Sequence, residues 1–127
     1  MPRNMSFFYT QEQIRNRSKT VTRRLGWTFL NAGDIVNACV KCQGLGKGGK
    51  IEKICQIRVT DVRQENLHKM AYDSSYGKRE AIKEDFPSKS GRQFVAMFCS
   101  HMKCAPESKI TRIEFEYVEK SCLKNKR

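Results

Sequence analysis

Ten consecutive residues, Arg15-Asn16-Arg17-Ser18-Lys19-Thr20-Val21-Thr22-Arg23-Arg24, hold the densest polar chemistry of the chain. Five are basic (Arg15, Arg17, Lys19, Arg23, Arg24) and three carry hydroxyls. Placed between a helix and a strand, such cations join free backbone amides to make an anion site. The plainer alternative is a solvated basic turn. Cysteine supplies the other candidate chemistry. Cys99, His101 and Cys104 fall within six residues, and Cys39-x-x-Cys42 stands further upstream. Zinc wants four N or S ligands at tetrahedral corners, often in pairs. On a strand, however, the Cys39/Cys42 spacing sends the two thiols to opposite faces. Buried, reduced thiols are therefore expected, with no metal and no cofactor. His68 stands alone and has no assigned role. Trp27 is expected to pack in the core or stack on a base.

The charge of the whole chain agrees with an anion site. Lys and Arg number 25 against 13 Asp and Glu, a net charge of +12 over 127 residues. Such an excess attracts polyanions, of which nucleic acid is the commonest inside cells. Charge alone carries no sequence specificity. The mean hydropathy is −0.66, and no run approaches the roughly 20 apolar residues that a membrane helix needs. The N-terminus, Met1-Pro2-Arg3-Asn4, lacks the apolar stretch of a signal peptide. A cytoplasmic protein without a membrane partner is expected, and its six cysteines are expected to stay reduced. The length fits one domain over residues 1–127, with a basic tail from about residue 119.

Several elements must position these groups. Met5 to Tyr9 reads as a short strand. Thr10 and Gln13 fit a capping box that opens a helix reaching about Arg15. Thr20 to Arg23 is extended, Asn31-Ala32-Gly33-Asp34 is a turn, and Ile35 to Cys42 is a strand. The glycine-rich run 44–50 reads as a hairpin loop leading to a strand over Ile51–Val62. On that strand Cys55, Ile57 and Val59 share one face. Ser74 or Ser75 caps a helix to about Glu84, which Pro87 stops. Ser90 and Gln93 form a second capping box, and Phe94, Met97, Phe98 and His101 or Met102 follow at helical spacing. Finally Ile113, Phe115 and Tyr117 alternate with Arg112, Glu114 and Glu116, the pattern of a strand with one wet face. The order suits an α+β fold whose curved sheet is closed by helices.

The cluster also carries a family resemblance. Lys19-Thr20-Val21-Thr22-Arg23-Arg24 resembles the ASCH-domain signature Gly-x-Lys-x-x-Glu-x-Arg. Lys19 matches the Lys and Arg24 the Arg. Thr22 stands at the Glu position, as in the branch that hydrolyses N4-acetylcytidine, and Arg17 replaces the Gly. Gly33-Asp34-Ile35, Lys83-Glu84-Asp85-Phe86-Pro87, Phe94–Phe98 and Thr111–Phe115 resemble further family segments, so the likeness spans nearly the whole chain. It is greatest to the small stand-alone ASCH proteins of bacteria and phages.

The resemblance implies a PUA-like mixed β-barrel flanked by helices, with a cleft for RNA or a modified nucleoside. In the acetylcytidine branch a Lys acts as base, a Thr as nucleophile and a Glu as proton donor. Carried over, these are Lys19, Thr22 and Glu84. The chemistry is coherent. A threonine hydroxyl attacks only when a base takes its proton. A lysine acts as that base only when burial or neighbouring cations lower its pKa. On one strand Lys19 and Thr22 would face opposite ways, so they converge only if Lys19 lies in the preceding turn. Three functions stay open: RNA or nucleoside binding without catalysis, hydrolysis of an N4-acetylcytidine-type amide or metal-independent cleavage of RNA, and a protein-interaction accessory role.

Overall fold

A computed structural model describes residues 2–42 and 49–118. The chain runs β1 (Arg3–Ser6), a 3-10 turn (Phe8–Thr10), α1 (Gln11–Arg15), β2 (Val21–Arg24), β3 (Ile35–Cys39) and β4 (Lys53–Asn66). Next come α2 (Lys69–Tyr72), α3 (Ser74–Lys83), α4 (Gly91–Met102) and β5 (Lys109–Tyr117). The strands form one sheet in the order β1-β3-β4-β5-β2. β1 runs parallel to β3, and the other neighbours are antiparallel. The sheet curls into a half-barrel, and the four α-helices complete a mixed α+β fold.

Two apolar cores fill this frame. One gathers Met5, Phe7, Ile14, Val36, Ile57, Val59, Ile113 and Phe115 in the curl of the sheet. The other gathers Leu67, Met70, Ala81, Phe94, Val95 and Ile110 among the helices. β4 and β5 are long enough, at 14 and 9 residues, to run past both. The helical core is tight where Gly77 of α3 meets Gly91 of α4. A Cβ on either glycine would overlap the Met70 carbonyl oxygen.

Local signals are honoured unevenly. The Ser90/Gln93 capping box forms in full. Thr10 makes no side-chain cap, because Phe8–Thr10 already winds as a 3-10 turn that leads into α1. The same winding ends the first strand at Ser6, short of Tyr9. α3 is capped by Asp73, which accepts from the Tyr76 N–H, rather than by Ser74 or Ser75. The one-turn α2 has no counterpart in the expected elements. Most of the expected 44–50 loop and the basic tail from 119 lie outside the described residues.

The largest departure concerns β5. Glu116 on its expected wet face is exposed, but Arg112 retains only 2% of its accessible surface. α3 covers it. Arg112 grips Glu80 with both sides of its guanidinium, Nε to Oε1 at 2.6 Å and Nη2 to Oε2 at 3.1 Å. This two-pronged geometry is the strongest form of the pair. Glu80 also accepts from Arg23 of β2 at 2.7 Å. Arg23 reaches Glu65 of β4 at 2.9 Å and Glu84 at 3.2 Å, and Glu65 accepts from the Tyr76 hydroxyl at 2.6 Å. Among the described residues the buried charged side chains are Lys19, Arg23 and Arg112 against Glu65, Glu80 and Glu84, three cations and three carboxylates. Buried charge is tolerable only when paired and hydrogen-bonded. Here only Arg23 Nε lacks a partner among the described residues.

Glu80 is the hub, and its loss leaves two buried guanidinium groups short of a counter-charge. Glu80→Gln is expected to lower the unfolding free energy by roughly 3–5 kcal/mol in urea titrations. Burial pushes the Glu80 carboxyl up, but Arg112 and Arg23 together outweigh it and hold the group at about 2, below its ordinary 4.5. Its folded pKa therefore lies below its unfolded one. The contribution is complete above pH ~4.5 and is lost as the pH falls toward ~2. The wild type is expected to lose its margin over the variant across that window, and a constant margin would disprove the hub role.

Candidate functional site

The site is built where α1 hands the chain to β2. α1 ends in a Schellman motif: Ser18 N–H donates to Gln13 O and Arg17 N–H to Ile14 O, each at 3.1 Å. Arg17 occupies the left-handed position of this motif, with φ 63°. Glycine is favoured at such a position because it has no Cβ to clash. Arg17 is also the residue that replaces the Gly of the signature. Residues 18–20 then lie along the end of α3 and bind it at three successive points. Ser18 Oγ donates to Asp85 at 2.6 Å, the Lys19 amine to Glu84, and the Thr20 N–H to Lys83 O at 2.9 Å. From the other side, the Tyr117 hydroxyl donates to Lys19 O at 2.6 Å and the Phe115 N–H to Thr20 O at 3.0 Å.

Lys19 thus lies in the turn before β2, the placement its convergence with Thr22 requires. Its Nζ is 2.6 Å from Glu84 Oε1 and donates as well to the Glu84 carbonyl at 3.0 Å. Both side chains are 3% exposed. A cation on the last carbonyls of α3 is favourably placed in the field of that helix. Burial pushes the Lys19 amine below its ordinary 10.5. Glu84 opposes that shift, and Arg24 and Arg23 add to it. Glu84 divides its carboxylate between Lys19 on Oε1 and Arg23 on Oε2.

Thr22 and Glu84 line one cavity of about 340 Å³, inside the range of roughly 300–1,000 Å³ common for small-molecule sites. Lys19 is not in its wall and meets it through Glu84. The rest of the wall is mostly apolar and aromatic: Phe7, Phe8 and Tyr9 on one side, Phe86, Phe94 and Phe98 on the other. Tyr9 stacks on His101 with ring centres 4.4 Å apart. Arg24 enters this wall half-buried. Its guanidinium lies 4.5 Å from the centre of the Phe7 ring, and its Nε donates to Thr22 Oγ1 at 3.2 Å. Burial pushes it down to about 10, against the pull of Glu84.

The five cations read as an anion cluster therefore divide. Lys19 and Arg23 are buried, and their charges are matched inside by glutamates. Arg15 lies on the surface, paired with Glu52 at 3.2 Å. Arg17 lies over Tyr117 with its guanidinium carbon 5.2 Å from the ring centre. Arg24 alone of the five faces the cavity with no carboxylate within ion-pair distance among the described residues. Cys99 and Cys104 come within 3.9 Å of each other, but His101 turns to Tyr9. Among the described residues no three His, Cys, Asp or Glu side chains gather as metal ligands. Cys39 lies on β3, whereas Cys42 falls past its end. Trp27 packs against the sheet core.

Sequence reasoning did not reach Glu65 and Glu80, which fix Arg23, nor the aromatic wall. Phe94 and Phe98 stood only at helical spacing, and Phe86 only in the Lys83–Pro87 segment of the resemblance. Phe7 and Phe8 read as part of a strand.

No protein-family model and no curated protein matches the sequence. Solved structures do match the fold. The chain aligns with hypothetical protein PH0355 at TM-score 0.58 and 18% identity, over 92% of this chain and 97% of that one. It aligns with protein EF3133 from Enterococcus faecalis V583, of family DUF984, at TM-score 0.58 and 15% identity, over 93% and 80%. With the ASCH domain from Lactobacillus crispatus JV V101 it gives TM-score 0.56 and 16% identity, over 91% and 78%. No helix among the described residues is long and apolar enough to cross a membrane. At these identities the fold is what is shared, and it is the fold of the ASCH-domain structure.

Proposed function

We propose that the cavity binds the base of an RNA nucleotide or of a modified nucleoside. The supporting observation is Arg24, a half-buried cation in an aromatic wall with no acid partner of its own among the described residues. A guanidinium so placed gains from an anion or a carbonyl oxygen that can take its N–H groups in pairs. The aromatic side chains beside it offer flat faces to a flat ring. The net charge of +12 draws phosphates toward the surface. The test is titration with cytidine 5′-monophosphate and with a short single-stranded RNA. Arg24→Ala is expected to weaken both by roughly tenfold or more, and Arg15→Ala, on an exposed ion pair, by less than about twofold. Equal affinities of Arg24→Ala and the wild type would defeat the reading.

A second reading, amide hydrolysis, draws on the burial of the Lys19 amine against Glu84, whose side chain lines the cavity together with Thr22. In this reading Thr22 Oγ attacks the acyl carbon of an N4-acylated cytosine, and its proton passes to Lys19. The C–N bond breaks as Glu84 protonates the leaving amine, and water then releases the acyl group from Thr22. The buried pair has the composition for this. One proton moving from ammonium to carboxylate turns it into a neutral base beside a neutral acid.

Purified protein is expected to convert N4-acetylcytidine to cytidine. Lys19→Ala, Thr22→Ala and Glu84→Gln should each lower the rate by about 100-fold or more. The active form holds one proton between Lys19 and Glu84, so the rate should fall as that proton is lost at high pH, with an apparent pKa below 10.5. Turnover that survives Thr22→Ala would remove the nucleophile from this scheme.

A further inference from the structure

The cavity does not end at Arg24. A second groove of about 390 Å³ adjoins it and shares Ser6, Phe8, Tyr9 and Arg24 with the first. Its own additions are Asn4, Trp27, Lys41 and Cys42. Phe8 and Tyr9 are 45% and 63% exposed, high for aromatic side chains beside a cavity. The Lys41 amine stands 5.3 Å from the centre of the Phe8 ring. Trp27 lies beside Phe29 with ring centres 5.3 Å apart, and Arg3 covers Phe29 at 4.3 Å. Cations and aromatic rings thus share this groove: Arg24, Phe8, Lys41 and Trp27 line it, and Phe29 with Arg3 lies next to Trp27. Stacking faces beside cations are what a single strand needs and a duplex cannot use. Arg24 lines both grooves, where the phosphate joining two consecutive nucleosides would lie.

We propose that this groove is a second nucleotide subsite, so that the protein takes single-stranded RNA rather than a free nucleoside. One base occupies the cavity, the next stacks toward Trp27 and Phe8, and Lys41 meets a neighbouring phosphate. The inference rests on the reading that the cavity takes a base. It adds that the ligand is a polymer entering from the side of Trp27 and Lys41.

The test compares the affinities of cytidine 5′-monophosphate, an eight-nucleotide single-stranded oligocytidylate and a duplex RNA of the same length. The single strand is expected to bind at least tenfold tighter than the mononucleotide. Lys41→Ala and, separately, Trp27→Leu should each remove most of that gain and leave mononucleotide affinity within about twofold. Lys41→Ala should also lower the salt slope by about one charge. Two variants are used because Trp27 packs partly on the core, whereas Lys41 lies outside both cores. If mononucleotide and single strand bind alike, or the duplex binds as tightly as the single strand, the second subsite is overturned and the cavity reading stands. If neither the mononucleotide nor the single strand binds, both readings fall.

Discussion

Everything near the cavity hangs on one buried set of ion pairs. Two apolar cores lie side by side, and the seam between them is closed by charge. β2 contributes Arg23, β5 contributes Arg112, β4 contributes Glu65, and α3 contributes Glu80 and Glu84. Each element brings a group that would be ruinous inside an apolar interior by itself. Together the charges cancel, and almost every donor and acceptor is used. Such a network adds little net stability over an apolar seam. Its geometric demand is what shapes the fold, because Arg23 can satisfy three carboxylates only if β2 and α3 stand at one relative position. The turn before β2 and the end of α3 are thereby brought together, and that junction is the site.

The neutrality of the seam also decides where the charge of the protein acts. The buried cations and carboxylates of the seam sum to zero among the described residues, so the net +12 of the chain belongs to groups outside the seam. Arg24 differs from Lys19 and Arg23 of its cluster for this reason. Arg23, one residue earlier on the same strand, points toward the glutamates, and Arg24 points toward Phe7 and Thr22. Strand alternation thus assigns two neighbouring arginines to opposite tasks. One holds the structure together, and the other keeps its charge for the cavity.

That division shows what the sequence could and could not tell. The ten-residue cluster was legible as unusual chemistry, and the alternation placing Thr22 and Arg24 on one face was legible from spacing. Ser90 and Gln93 were legible as a cap because their bonds are local. The roles of Arg23 and Arg112 were not legible, since their partners lie 57 and 32 residues away at Glu80. Period-two alternation on β5 correctly separates Arg112 from Ile113, but it cannot say that a helix will cover the polar face. Thr10 looked like a helix cap and is none, because the preceding Phe8 and Tyr9 wind into a turn and put their rings on the cavity. The fold class could be read from the order of elements and from the resemblance. The aromatic wall could not, since phenylalanines at helical spacing read the same whether they meet a core or a hollow.

The left-handed turn at Arg17 has a consequence for which substitutions the chain can absorb. Glycine would relax a backbone that a branched-off side chain strains by roughly 1–2 kcal/mol. What that strain supports is visible. The Arg17 guanidinium lies over the ring of Tyr117, and the hydroxyl of that same ring holds the Lys19 carbonyl in place. Position 17 is thus a trade between an easier backbone and a braced tyrosine. A chain that adopted glycine there would need another neighbour to keep that ring, and through it the buried amine, from drifting.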